Sequence, residues 1–312
     1  MTSASTPNPG GAAVLRDLSR LPLPVLEALM VVTWSSGFVG MRFSAGQAPI
    51  FLVMSWRLIA VSVCLLPFVV REIGRAPATV LLRQAGIGVL AMAGYLIGVS
   101  KGIALGVPAG LAALIADLLP LGTVVVSTFA LRERHPRRVW AGLALGLAGT
   151  LVVCRDAVAL GVAPVWAYAL PVAGMASLAV ATVWQQRASR RQAVLSPLGT
   201  LWLQCAVSCP VFVGLQAVQG RLLPIVSAGF AASVAWTVIL ATLGGCGLYW
   251  ACLRRSSPSR VTSVLFLSPP VTFIWAWAMF GEPLSWPMLA GTAISGLGVL
   301  LMAGRGAGGG AH

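Results

Sequence analysis

The sequence predicts an all-α integral membrane protein: ten transmembrane helices forming two inverted five-helix repeats, with the N and C termini cytoplasmic. Three observations carry that prediction. First, 58% of the 312 residues are hydrophobic and only 9% are charged, with a mean hydropathy of +0.91, whereas soluble domains carry roughly 25% charged residues. The deficit of charge runs along the whole chain, which excludes a globular domain on a single anchor. Second, the arginines alternate between the gaps that separate the apolar runs. Third, one block of the chain recurs.

A membrane helix needs about 20 apolar residues. Candidate spans lie at 24–43, 50–70, 82–100, 108–131, 138–154, 164–185, 197–218, 228–252, 261–281 and 285–303. The third and fourth are separated by Lys101 and Pro108, because the apolar stretch from residue 82 onward is longer than one crossing uses. Residues 1–20, "MTSASTPNPGGAAVLRDLSR", are polar and rich in Pro, Gly and Ser, the composition of a disordered tail. The apolar run that follows is too long for a signal-peptide core and ends without an A-x-A cleavage site, so it reads as a first span.

Cytoplasmic loops carry the excess of Lys and Arg. One set of gaps holds Arg16 and Arg20, then Arg71, Arg75 and Arg83, then Arg132, Arg134, Arg137 and Arg138. It continues with Arg187, Arg190 and Arg191, then Arg254, Arg255 and Arg260, then Arg305. The alternate set holds only Arg42, Lys101, Arg155 and Arg221. A miscounted span would scramble this contrast, so the count of ten and the cytoplasmic termini support one another. It also explains the net charge of +14 as a topology signal rather than a nucleic-acid surface.

The repeat pairs "LLPLGTVVVSTFALRERHPRRVWAG" (118–142) with "LSPPVTFIWAWAMFGEPLSWPMLAG" (267–291). Pro120, Glu133, Gly142 and Gly149 recur as Pro269, Glu282, Gly291 and Gly298, each 149 residues on. Upstream the match is looser, "WRLIAVS" near Arg57 lying against "LQCAVS" near Gln204. The chain divides into a first repeat over 21–156, a second over 157–305 and a C-terminal tail over 306–312. Five spans per repeat is odd, so the second half enters the membrane the opposite way up, the arrangement of secondary transporters with a midplane substrate site. Pro120 and Pro269, inside their helices, each remove a backbone hydrogen bond and are candidate hinges. Glu133 and Glu282, each followed by a new helix, read as loop and cap groups. The paired glycines line one face of their helices and permit close packing.

These features resemble the drug/metabolite transporter superfamily, specifically its ten-helix proteins with two EamA-type repeats. The resemblance rests on the Pro-to-Glu blocks ending in Arg132–Glu133 and Gly281–Glu282, on "TWSSGFVG" (33–40) as the family's W-S-x-x-[FY] start, and on Arg57 as its span-two arginine. It covers nearly the whole chain and is weakest over spans six to eight. It implies a carrier of small organic molecules across the bacterial inner membrane, commonly outward, and the aromatic amino acid exporter branch in particular. Other members move lipid-linked sugars, nucleotide sugars or cationic drugs. Glu27 stands about two turns before Trp34, not well inside the first helix as in the small four-helix multidrug members, a departure from the pattern of proton-coupled cation antiport.

Ionisable groups inside a membrane are costly and are functional candidates by default. Arg57 in span two and Asp117 in span four either pair with each other or leave one to face the substrate; a free Asp117 could carry a proton. A second class comprises polar and aromatic residues within spans: Trp34, Ser35, Ser36, Tyr95, Trp184, Gln185, Gln204, Tyr249, Ser263 and Ser268. They supply the aromatic wall and hydrogen-bond partners that an amino acid site needs. With one deep cation, the interior suits neutral or zwitterionic cargo better than multiply anionic cargo. The only histidines are His135 and His312, and no nucleophile–base pair or metal cluster is legible, which argues against an enzyme. The six cysteines read as small hydrophobes. No cofactor, metal or nucleic-acid partner is implied; the partners are a small-molecule substrate and the lipid bilayer, with no oligomer implied.

Overall fold

The computed structural model describes residues 21–161, 163–189, 195–256 and 258–303. The predicted tails at 1–20 and 306–312, together with Arg190, Arg191 and Arg305, lie outside the described residues. Within them the chain is helical throughout and contains no strand. Among the described residues nine helices are long and apolar enough to cross a membrane, and a tenth apolar helix follows them.

In chain order these are α1 (Leu23–Ala45), α2 (Ile50–Arg75), α3 (Ala78–Ala104), α4 (Ala109–Leu131), α5 (Arg137–Ala159), α6 (Val165–Ser189), α7 (Pro197–Gln219), α8 (Ala228–Arg255), α9 (Pro258–Phe280) and α10 (Trp286–Ala303). Prolines punctuate the starts. Pro22, Pro49, Pro77, Pro108, Pro136 and Pro164 each stand just before a helix with ψ between 124° and 155°. A proline there forfeits no helical hydrogen bond, because the N–H it lacks has no acceptor in any case. Ser196 and Ser227 cap α7 and α8 instead, accepting from the Gly199 and Phe230 amides at 3.0 and 3.2 Å.

Helix packing is paired across the two halves. α5 lies against α10, α2 against α7 and α4 against α9; α3 lies against α6 as α1 lies against α8. Exchanging the halves maps this set onto itself, as a pseudo-two-fold relation requires. The predicted glycine faces do meet: a Cβ on Gly149 would strike the backbone of Gly291 and Ser295, and one on Gly298 that of Gly146 and Gly142. In lipid, such close backbone approach replaces the hydrophobic effect as the source of helix association.

Four helices are irregular in their interiors, at matching places. α3 and α8 each contain a wider π turn, Val89–Gly94 and Thr237–Gly244. α4 and α9 are each broken in two, α4a (Ala109–Ala116) from α4b (Leu119–Leu131) and α9a (Pro258–Leu265) from α9b (Ser268–Phe280). The prediction placed Pro120 and Pro269 inside continuous helices. Both instead occupy the first turn of a new helix, and the chain breaks just before them, at Asp117–Leu118 and Phe266–Leu267. Both second halves end in a left-handed residue, Arg132 at φ 56° and Gly281 at φ 65°.

Candidate transport site

The interior polar groups lie where the helices are irregular. Asp117 is the break residue of α4, and its amide still bonds back to the Ala113 carbonyl at 2.9 Å. Its side chain is partly buried, with Oδ2 shielded and without a partner. Tyr95, the first residue after the π turn of α3, lies within electrostatic reach of both Asp117 and Arg57. Arg57 is 6% exposed and is committed elsewhere. Its Nε donates to Thr242 Oγ1 at 3.0 Å and its Nη1 to the Met54 sulfur at 3.7 Å. Thr242 lies in the π turn of α8 and passes the bond on to the Thr237 carbonyl at 2.8 Å. Among the described residues Arg57 and Asp117 form no ion pair, so of the two roles weighed for them the shared pair is not made here.

An aromatic and hydroxyl group gathers where α1, α8 and α9 meet. Trp34 packs on Tyr249 at 5.8 Å between ring centroids, and Trp236 on Trp275 at the same distance. Ser35 donates to the Ser268 carbonyl and hydroxyl at 3.2 Å, tying α1 to the start of α9b. Ser36 bonds its own helix at Thr33, and its carbonyl accepts from the Trp236 indole at 3.0 Å. These serines fasten helices together. Ser263 is partly buried in α9a. Trp184 lies apart, 40% exposed and stacked over Gly86, with Gln185 beside it at the same end of α6. Gln204 packs over Gly88 where α7 meets α3. So the predicted set divides: Tyr95 lies within electrostatic reach of Arg57 and of Asp117, Trp34, Ser35, Ser36, Tyr249 and Ser268 gather at the α1, α8 and α9 contact, and Trp184, Gln185 and Gln204 belong to helix contacts around α3 and α6. Sequence reasoning passed over Trp236 and Gln84, whose buried amide atoms have no partner.

The two ends of the helix bundle are unlike. At one, Glu282, just beyond α9b, is 8% exposed. It accepts from the Ala109 amide at 2.9 Å and from Arg42 Nε at 2.9 Å. Arg42 also lies over the Phe280 ring, 5.2 Å from its centroid. Burial pushes the Glu282 carboxyl above its ordinary range, and the Ala109 amide and Arg42 pull it partly back. The predicted cap role holds, but for the N-terminus of α4 rather than of the helix that follows; α10 is capped by Ser285, which accepts from the Met288 amide at 3.2 Å and itself bonds Asp156. At the other end Glu133 is exposed and its carboxylate bonds nothing among the described residues. There Arg260 grips Glu27 with two bonds of 2.7 and 3.0 Å, an arrangement that raises the Arg260 pKa through the Glu27 hydrogen bond. The packing agrees with this asymmetry. α9b lies against α4a and α1, whereas among the described residues α4b makes no comparable contact with α9a.

Comparison with known proteins places this architecture. The chain matches the EamA-like transporter family twice, over residues 25–155 and 165–304. It is 28% identical to a probable amino-acid metabolite efflux pump of Salmonella typhimurium, over 89% of this chain and 92% of that protein. It is 30% identical to a probable terminal-alkyne amino-acid exporter of Streptantibioticus cattleyicolor, over 88% and 91%. An uncharacterized inner membrane transporter of Escherichia coli, YedA, is 27% identical over 84% and 85%. A solved crystal structure at 20% identity shares the fold, with a TM-score of 0.61 over 90% of this chain and 96% of that one. The protein is therefore a multi-pass protein of the bacterial inner membrane and a transporter rather than an enzyme. With an EamA match in each half, the chain belongs to the EamA-like transporter family.

Proposed function

We propose that this transporter exports amino acids or closely related zwitterionic metabolites by alternating access of two inverted halves, residues 21–156 and 157–305, with both termini cytoplasmic. The observation that carries this reading is the shielded, unpartnered carboxylate oxygen of Asp117 at the break of α4. Buried polar atoms are nearly always bonded, and an exception calls for a missing partner. An ammonium group beside Tyr95 is such a partner, and Trp34, Tyr249 and Trp275 supply apolar wall for a side chain. Arg57, bonded to Thr242, sets the shape of α8 and lends positive potential to the carboxylate end. The printed names of two relatives, an amino-acid metabolite efflux pump and an amino-acid exporter, agree. The breaks before Pro120 and Pro269 support these as the points at which α4 and α9 flex. The arginine alternation supports an orientation with the Glu282 end outside and the Glu133 end in the cytoplasm.

The test is counterflow of radiolabelled amino acids in proteoliposomes, with and without a pH gradient. Uptake of neutral or aromatic amino acids independent of the gradient supports facilitated export, and gradient dependence assigns Asp117 the proton. Absence of amino acid movement refutes the reading. A second reading, lipid-linked sugar flipping, has one observation in its favour. A cleft of about 700 Å³ lies between the start of α7 and the end of α8, walled by Leu198, Leu201, Leu243 and Trp250 with Arg254 at its edge, and a flippase needs such a lateral opening. A proton-coupled drug exporter on the same fold is distinguished by cationic cargo in the same assay.

A further inference from the structure

Glu282 and Glu133 occupy the same place in their repeats, 149 residues apart, each one residue after a left-handed helix end. Their surroundings are opposite. Glu282 is buried, bonds the first amide of α4a across the interface between halves and holds Arg42. The Glu133 carboxylate is exposed and bonds nothing among the described residues, only its amide donating to the Ser127 carbonyl at 3.4 Å. The difference follows the packing: at one end α9b packs on α4a, and at the other, among the described residues, α4b makes no comparable contact with α9a. Two equivalent carboxylates, one engaged and one free, are what a pseudo-symmetric carrier shows when caught in one of two states related by exchange of its halves.

We infer that Glu282 and Glu133 are alternating latches, each sealing one end of the transport path by capturing the N-terminus of the opposite half's broken helix. In the present state Glu282 bonds α4a. When that end opens, the halves exchange roles and Glu133 meets the first turn of α9a, where Pro258 stands in the place of Ala109 and offers no N–H, so the Ser259 and Arg260 amides are the donors and Arg260 has two competing carboxylates, Glu27 and Glu133. The amide capture needs an acceptor oxygen at the helix start rather than a fixed charge, since a helix N-terminus presents unpaired N–H groups. Glutamine therefore substitutes better than alanine. This inference rests on the alternating-access reading and adds to it the side chains that set the balance between the two states.

The test reads conformation rather than flux. Spin labels on a keto-bearing noncanonical residue, which leaves the native cysteines in place, go at Ala104 and Trp286, both exposed at the Glu282 end. Pulsed electron paramagnetic resonance in nanodiscs then gives the populations of short (sealed) and long (open) distances. Glu282→Ala removes the bonds to the Ala109 amide and to Arg42 and raises the open-to-sealed ratio about tenfold or more, the factor that one charge-assisted hydrogen bond alone supplies. Glu282→Gln stays within a few-fold of the parent. Adding Glu133→Ala to Glu282→Ala returns the ratio toward sealed by a similar factor. A Glu133 with no partner in either state predicts no effect of that second change, and an unchanged ratio overturns the latch. Should Glu282→Ala not fold, Arg42→Ala serves as the opened background. Insensitivity to Glu133→Ala with transport intact overturns the latch alone. A single distance in every variant, with and without added amino acid, overturns alternating access as well.

Discussion

Asp117→Asn separates a substrate contact from a structural one, because the two roles give opposite signs in two assays. The substitution keeps the shape of the side chain and removes its charge. In this structure the Asp117 Oδ2 is shielded and bonds nothing, so the charge stabilises no visible partner. An unsatisfied buried polar group costs about 1–3 kcal/mol, and neutralising it relieves part of that. The melting temperature in detergent is therefore expected to hold or rise. Transport moves the other way. A hydrogen bond to a charged group contributes about 1.5–3 kcal/mol, which at 1.4 kcal/mol per decade is roughly a ten- to hundredfold loss of affinity. The assay is counterflow at subsaturating amino acid, joined to a thermal shift. Saturating substrate raises the melting temperature of the wild type, as any ligand selective for the folded state does, and fails to raise that of the variant. Transport within twofold of wild type refutes the ammonium contact. A fall in melting temperature with the loss of transport makes Asp117 a structural residue and refutes the reasoning equally.

The remaining predictions concern the scaffold and the latch. Gly149→Val forces a branched side chain into the backbone of α10 at Gly291 and Ser295, where nothing can rotate away, and is expected to destabilise by about 1–3 kcal/mol or more; an unchanged melting temperature would show the α5–α10 seam to be loose. Arg132→Gly places glycine at φ 56°, matching Gly281 at φ 65°, and is expected to stabilise by about 1 kcal/mol, read in the same thermal assay, where a drop contradicts it. The Glu282 carboxyl sits above its ordinary 4.5 when buried at the seal and returns toward that value when the end opens into water. The sealed state thus binds its proton more tightly, and acidification through the window just above 4.5 favours sealing; an open fraction between Ala104 and Trp286 that grows on acidification would reverse the sign. Pro120→Ala or Pro269→Ala restores a backbone donor in the first turn after each break and is expected to slow flux while leaving the melting temperature near wild type, so normal flux from both variants removes the breaks from the mechanism.

The spans were legible because a bilayer imposes a length and the arginines impose a direction, and α1 to α10 all begin within a few residues of the predicted starts. The repeat was legible because proline, glutamate and glycine are sparse markers at one offset. The breaks were not. Pro120 and Pro269 drew attention to themselves, yet the chain parts before each of them, at residues whose composition marks nothing: Asp117 with Leu118 in α4, Phe266 with Leu267 in α9. The π turns of α3 and α8 were hidden as well. A helix apolar on most faces has no periodic stripe whose slippage would reveal an extra residue. Arg57 was found as a deep cation, but its partner Thr242 lies 185 residues away. Glu282 was read from its neighbours in the chain, which suggested a cap for the next helix, while the amide it meets belongs to Ala109, 173 residues earlier. Local reading finds a carboxylate's type and not its counterpart.

The irregularities of the backbone have a meaning beyond mechanics. The two halves of this chain agree in few side chains, yet each carries its wide turn, its interruption and its left-handed stop at nearly the same distance along the repeat. A gene duplication leaves two copies free to diverge, and the chain is thus its own alignment of two sequences. What the copies kept is the set of places where a helix gives way; what they let go is most of what surrounds those places.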